Sequence, residues 1–167
     1  KSEPRSPERI VMDTIRDFED ILQLLEKHGV RYLIVGGLAV IFHAKPRYTK
    51  DMDIWVDPQA DNVEKANRTL AEFGSPFFLS LPVKANEILQ LGVPPDRIDI
   101  LLSLSGLSFG EAWEKRIISK YGDVDANWID IDSLIAAKRR IDSPRHQEDV
   151  NVLMRAKEKK QTDSGSG

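Results

Sequence analysis

Residues 32–57, YLIVGGLAVIFHAKPRYTKDMDIWVD, hold the pattern that most restricts how this chain folds. One apolar run ends in Gly36-Gly37, and a second carries Asp51 and Asp53 two positions apart. A strand alternates its side chains between faces, so Asp51 and Asp53 point one way while Met52, Ile54 and Val56 point into a core. Two carboxylates on one face are costly neighbours without a cation. The glycine pair falls between an expected strand at Tyr32–Val35 and an expected helix at 38–43. There a backbone without Cβ atoms approaches phosphate oxygens, and helix-terminal N–H groups face the anion. The two runs together predict a metal site, held by Asp51 and Asp53, beside a phosphate cradle at Gly36 and Gly37. A third run, RIDILL at 97–102, supplies another short apolar strand with an inward carboxylate, Asp99, and with Arg97 on the same face.

The rest of the chain alternates helical and extended patterns. Ser6-Pro7-Glu8 starts a helix whose apolar stripe, Val11, Ile15, Phe18, Leu22 and Leu25, ends at Gly29. Asp57-Pro58 reads as the cap and first turn of a helix to about Phe73, broken by Gly74-Ser75-Pro76. Residues 77–81 read as a strand or extended loop, 86–91 as a short helix, 108–116 as helical, and 117–118 and 128–131 as extended. Asp132 reads as the cap of a helix through Arg140, and Ser143-Pro144 as the start of the last helix. Alternating strands and helices predict an α/β chain, a small mixed sheet with helices against it.

A chain of 167 residues can bury one sizeable core, which predicts a single domain over 7–160. The core covers about 7–131 and C-terminal helices about 132–160, while 1–6 and 161–167 read as polar, flexible tails. With no cysteine, disulfides, thiolate zinc sites and a cysteine nucleophile are excluded, so any metal must be held by oxygen ligands or histidine. No apolar run reaches membrane-spanning length and no signal-peptide pattern is present, so the expected compartment is the cytoplasm, with no membrane partner. The formal charge of −3 is unevenly spread. Lys138, Arg139, Arg140, Arg145, Arg155, Lys157, Lys159 and Lys160 make the C-terminal part the cationic end, fit to receive a triphosphate or an RNA backbone. The plainer reading is a solvated helix face with basic residues favoured near its C-terminus.

These motifs resemble a known family. The arrangement Val35-Gly36-Gly37, then Asp51-Met52-Asp53-Ile54, then Ile98-Asp99-Ile100 is similar to the nucleotidyltransferase superfamily of the polymerase-beta type. The finer pattern GG-L-A-V, H, R-Y-T-K-D-M-D-I resembles the minimal and abortive-infection (AbiEii-like) toxin branch. The resemblance implies a nucleotidyltransferase core with a short helical C-terminal extension, Mg2+ or Mn2+ as cofactor, and a nucleoside triphosphate as donor. Asp99, matching the third acidic position, would hold the acceptor-side metal or take the proton of the attacking hydroxyl. Arg47 and Thr49, in the R-x-T-x-D-h-D segment, would hold donor phosphates, with solvated loop residues as the competing reading. Lys138 in LIAAKRR and Asp149 in SPRHQEDV match the later Lys and Asp motifs. Lys138 would contact phosphate, and Asp149 would orient Arg145 or Lys138. This chain departs from the branch at His146, where a second acid is usual.

The expected activity is transfer of a nucleoside monophosphate to an acceptor hydroxyl, with release of pyrophosphate. The acceptor would be the end of a tRNA or other RNA, or a protein side chain in a toxin–antitoxin pair with an antitoxin partner. The alternatives are a small-molecule acceptor such as an antibiotic, or a catalytically silent module that binds nucleotide or protein. His43 reads as a packed or capping histidine rather than a metal ligand, and Trp55, on the face of Asp53, as a core residue or a platform for a base.

Overall fold

The run Tyr-Leu-Ile-Val at Tyr32–Val35 is apolar on both faces, and all four residues are buried. Such a strand can only lie inside a sheet covered on both sides. In the computed structural model, which describes residues 16–44, 51–93 and 96–165, it does so. The elements are α1 (Arg16–Lys27), β1 (Tyr32–Val35), α2 (Gly36–His43), β2 (Met52–Val56), α3 (Ala60–Phe73), β3 (Ile88–Leu91), β4 (Ile98–Leu101), α4 (Phe109–Glu114), β5 (Ile117–Tyr121), β6 (Val124–Trp128), α5 (Ile131–Arg139) and α6 (Pro144–Gly165). The strands form a mixed sheet in the order β3-β4-β2-β1-β6-β5. β1 runs antiparallel to β2 and parallel to β6, and β2 runs parallel to β4. The chain thus has the mixed α/β architecture, helices on a small sheet and helices at the C-terminal end, that its sequence predicts.

Strand alternation divides the core in two. Tyr32, Ile34, Met52, Ile54, Val56, Ile98 and Ile100 face α1 and α3, where Ile21, Leu22, Leu25, Val63 and Leu70 complete an apolar layer. Leu33, Val35 and Trp55 face the other way, against Ala39 and Val40 of α2, Phe109 of α4, Leu134 and Ile135 of α5, and Leu153 of α6. Burying each such aliphatic side chain contributes about 1.5–3 kcal/mol before ordering costs. Within the first helix Phe18, Leu22 and Leu25 are buried as expected; its predicted start at Ser6-Pro7-Glu8, with Val11 and Ile15, lies outside the described residues.

Several boundaries differ from the sequence reading, among them these. Residues 86–91 do not form a helix: Leu89 and Leu91 are buried and Ile88 and Gln90 exposed, a period of two that pairs β3 antiparallel with β4. Asp57 does not begin α3, which starts at Ala60; its carboxylate instead accepts from Arg31 Nε at 2.7 Å. The cap of α5 is Asp130 rather than Asp132, its carboxylate accepting from the Ser133 N–H at 3.1 Å. α6 continues through Gly165, past residue 160, where the chain reads as tail. Among the described residues no helix is long and apolar enough to cross a membrane.

Candidate active site

Register brings the acids together. Val35 pairs with Asp53, and Asp53 pairs in parallel with Asp99, so these three lie side by side across β1, β2 and β4. Residues paired across strands share a face, hence Asp53 and Asp99 project from the α2 side of the sheet. Asp51, two residues before Asp53, joins them, while Met52 between the two is fully buried on the opposite face. All three acids expected from the sequence therefore stand on one face.

Arg97 binds two of them. Its Nε donates to Asp99 Oδ1 at 2.8 Å and one Nη to Asp99 Oδ2 at 3.1 Å, a two-pronged pair. The same Nη lies 3.3 Å from Asp51 Oδ2. These carboxylates, the hydrogen bond to Asp99 foremost, hold the guanidinium pKa above its ordinary value. The sequence placed Arg97 on this face but assigned it no part. The available signal was its spacing of two from Asp99, which forces the side chains onto one face.

Among the described residues Asp53 has no such cation in contact. Burial, then the charges of Asp99 and Asp51, push its carboxyl from 3.8 up to about 6, with Lys138 and Arg97 opposing the shift. Gly36 explains part of that burial. Its φ is +68°, a conformation that side chains disfavour, and a Cβ there would lie 2.9 Å from Asp53 Cγ. Gly36 is thus required by both conformation and space. With Gly37 it forms the first two residues of α2, so the expected helix starts two residues earlier than 38 and the N-terminal N–H groups of α2 open beside Asp53.

Lys138 reaches the same region from α5. It is buried, and its Nζ stands 3.0 Å from Asp149 Oδ2 on α6, with side-chain exposures of 6% and 5%. His146 Nδ1 lies 3.4 Å from that Nζ. Asp149 therefore partners Lys138, and His146 joins the cluster.

Of the remaining candidates, Arg47 and Thr49 lie outside the described residues. Trp55 is core: it is 1% exposed and packs edge-on against Phe109 with ring centres 5.1 Å apart. His43 is a packed residue whose Nε2 lies 2.6 Å from the Ile129 carbonyl. Burial holds its pKa below the usual histidine value, so it bonds as a neutral N–H donor.

The donor set suits a hard cation. It consists of carboxylate oxygens only, and Asp51 Oδ1 is buried with no hydrogen-bond partner among the described residues. With Arg97 holding Asp51 and Asp99, no three His, Asp or Glu side chains among the described residues meet in ligating geometry. A metal entering here would have to take Asp51 and Asp99 from Arg97.

No protein-family model and no curated protein matches the chain. Among solved structures it is similar to the lincosamide antibiotic adenylyltransferase LnuA in its lincomycin-bound form. The two share 19% identity at a TM-score of 0.56, over 84% of this chain and 96% of that one. At this identity the likeness is one of fold, and it does not single out the toxin-type branch. The chain has the fold of a nucleotidyltransferase.

Proposed function

We propose that the chain is a metal-dependent nucleotidyltransferase, moving a nucleoside monophosphate from a triphosphate to an acceptor hydroxyl. The observation that carries this reading is the placement of Asp51, Asp53 and Asp99 on one sheet face, with Asp53 against Gly36 at the start of α2. Asp51 and Asp53 would hold Mg2+ or Mn2+, with Asp99 on the acceptor side. Held there, such a cation would supply positive charge to the attacking and leaving oxygens. The chain's own groups do the rest. The N–H groups of Gly36 and Gly37 receive donor phosphate oxygens, and Lys138, held by Asp149, adds positive charge to that side. The acceptor hydroxyl passes its proton to Asp99 or to water, its oxygen bonds the α-phosphorus, and the α–β bridging P–O bond breaks to release pyrophosphate.

The resemblance to the toxin branch favours an RNA end or a protein side chain as acceptor, with an antitoxin as partner. The bound lincomycin of the fold neighbour favours a small hydroxylated molecule. The test is to incubate the protein with each α-labelled nucleoside triphosphate, magnesium, and separately total RNA, cell lysate and a hydroxylated antibiotic panel including a lincosamide. Label should move to one acceptor class as pyrophosphate appears. Triphosphate binding without pyrophosphate from any pool would leave a silent nucleotide-binding module; no binding at all would remove both readings of the glycine pair.

A further inference from the structure

The row of paired residues does not stop at Asp99. In the antiparallel pairing of β3 with β4, Gln90 stands opposite Asp99 and Ile88 opposite Leu101. Across the sheet the row therefore reads Val35, Asp53, Asp99, Gln90, and the next reads Leu33, Trp55, Leu101, Ile88. Gly36 and α2 close the first end of the upper row, and Gln90 on an edge strand forms the other. Helices cover the rows only part of the way: Trp55 is buried, Leu101 partly exposed, and Ile88 58% exposed. β3 thus offers the acids' face an exposed carboxamide with no partner among the described residues and, beside it, an uncovered aliphatic side chain.

We propose that Gln90 and Ile88 form the acceptor subsite, and that it takes a small, neutral molecule carrying its hydroxyl on a partly apolar body. This rests on the nucleotidyl-transfer reading. If phosphates lie at the Gly36 end and the acids hold the metal, the attacking hydroxyl must come from the opposite end of the row, where Gln90 stands. The carboxamide both donates and accepts, so it can hold a polar group next to the reacting hydroxyl while Ile88 and Leu101 receive carbon surface. Charge argues against a polyanion. Neither β3 nor β4 contains a basic residue, and Arg97, just before β4, is occupied by Asp51 and Asp99. The basic residues of α6 belong to the other end of the row, because α6 packs on α2 and α5. An RNA backbone needs free cations along its path.

The absence of cysteine makes the test clean, since Gln90→Cys and Ile118→Cys each create a single thiol, the latter on β5 at the far edge of the sheet. Each variant is capped with a benzyl thiosulfonate. Magnesium-dependent triphosphate affinity is then measured, together with label transfer to a pool of neutral alkyl and aryl glycosides and to total tRNA. Capped Gln90→Cys should keep triphosphate affinity within twofold and lose at least tenfold in transfer to glycosides, while capped Ile118→Cys changes neither. Gln90→Ala should raise the acceptor KM with little change in kcat. Transfer to tRNA alone, or transfer that survives the cap on Gln90→Cys, overturns the acceptor assignment. An unmodified protein that labels neither pool but releases pyrophosphate with cell lysate overturns the subsite alone, and one that binds triphosphate yet releases pyrophosphate with none of them overturns nucleotidyl transfer itself, and the subsite with it.

Discussion

The two faces of the sheet use burial differently. Against α1 and α3 the strands place apolar side chains in the layer, Ile34, Met52, Ile54 and Ile100 among them. Against α2, α4, α5 and α6 the same strands add Asp53 and Asp99, and the helices add the buried Lys138–Asp149 pair. Charged groups held away from water stabilise a fold poorly and are retained where they serve chemistry. The first face is the scaffold and the second carries the site, and alternation along β2 and β4 connects them residue by residue.

The sharpest way to break that comparison is to change neighbours on one strand. Asp53→Asn should lower transfer by on the order of a thousandfold with the fold intact. Ile54→Ala should instead destabilise by about 2–5 kcal/mol through a cavity. Denaturant melts and pyrophosphate release on both variants decide it, and equal loss of stability in the two would merge the faces into one structural core.

The Lys138–Asp149 pair gives the next largest effect. Lys138→Met takes the ammonium away from the buried Asp149 carboxylate and should cost about 3–5 kcal/mol. The double variant Lys138→Met, Asp149→Leu should recover most of that stability while triphosphate affinity stays low. Affinity restored along with stability would make the pair structural only. Gly36→Ala follows, with an expected loss of about 2–4 kcal/mol from its positive φ and the crowding of Asp53, measured by the same melts.

Much of this arrangement is legible in the sequence. β1, β2 and β4 announce themselves as short apolar runs, and β2 and β4 carry Asp53 and Asp99, with Asp51 just before β2. The edge strand β3 is harder. Four residues with two leucines fit a helix turn as well as a strand, and only pairing with β4 settles the period. The cap of α5 is ambiguous for a similar reason, since Asp130 and Asp132 both precede a helical run and only the bond to Ser133 distinguishes them. Long-range charge pairs are the least legible. The spacing of Arg97 shows its face but not its hold on Asp51, and the 3.0 Å contact of Lys138 with Asp149 depends on how α5 packs against α6.

A smaller effect concerns pH. The Asp53 carboxyl is raised from 3.8 to about 6, so the folded, metal-free protein holds this proton more tightly than the unfolded chain. Its contribution to stability is full below about pH 4 and is lost as pH rises through about 6. Melts of the metal-free protein across that window should show the decline, and Asp53→Asn should flatten it. Metal competes with the same proton, so affinity for Mg2+ should fall as pH drops below about 6.

The central claim, that Asp51, Asp53 and Asp99 act as one cation site on one face, is tested most directly by metal-linked stability. Thermal unfolding of the wild type should shift upward with Mg2+ or Mn2+, because the cation binds the folded state selectively. Arg97→Ala, which frees Asp51 and Asp99, should keep that shift and reach it at lower metal concentration. Asp53→Asn should abolish it. A full metal response in Asp53→Asn would place the cation elsewhere and contradict the account.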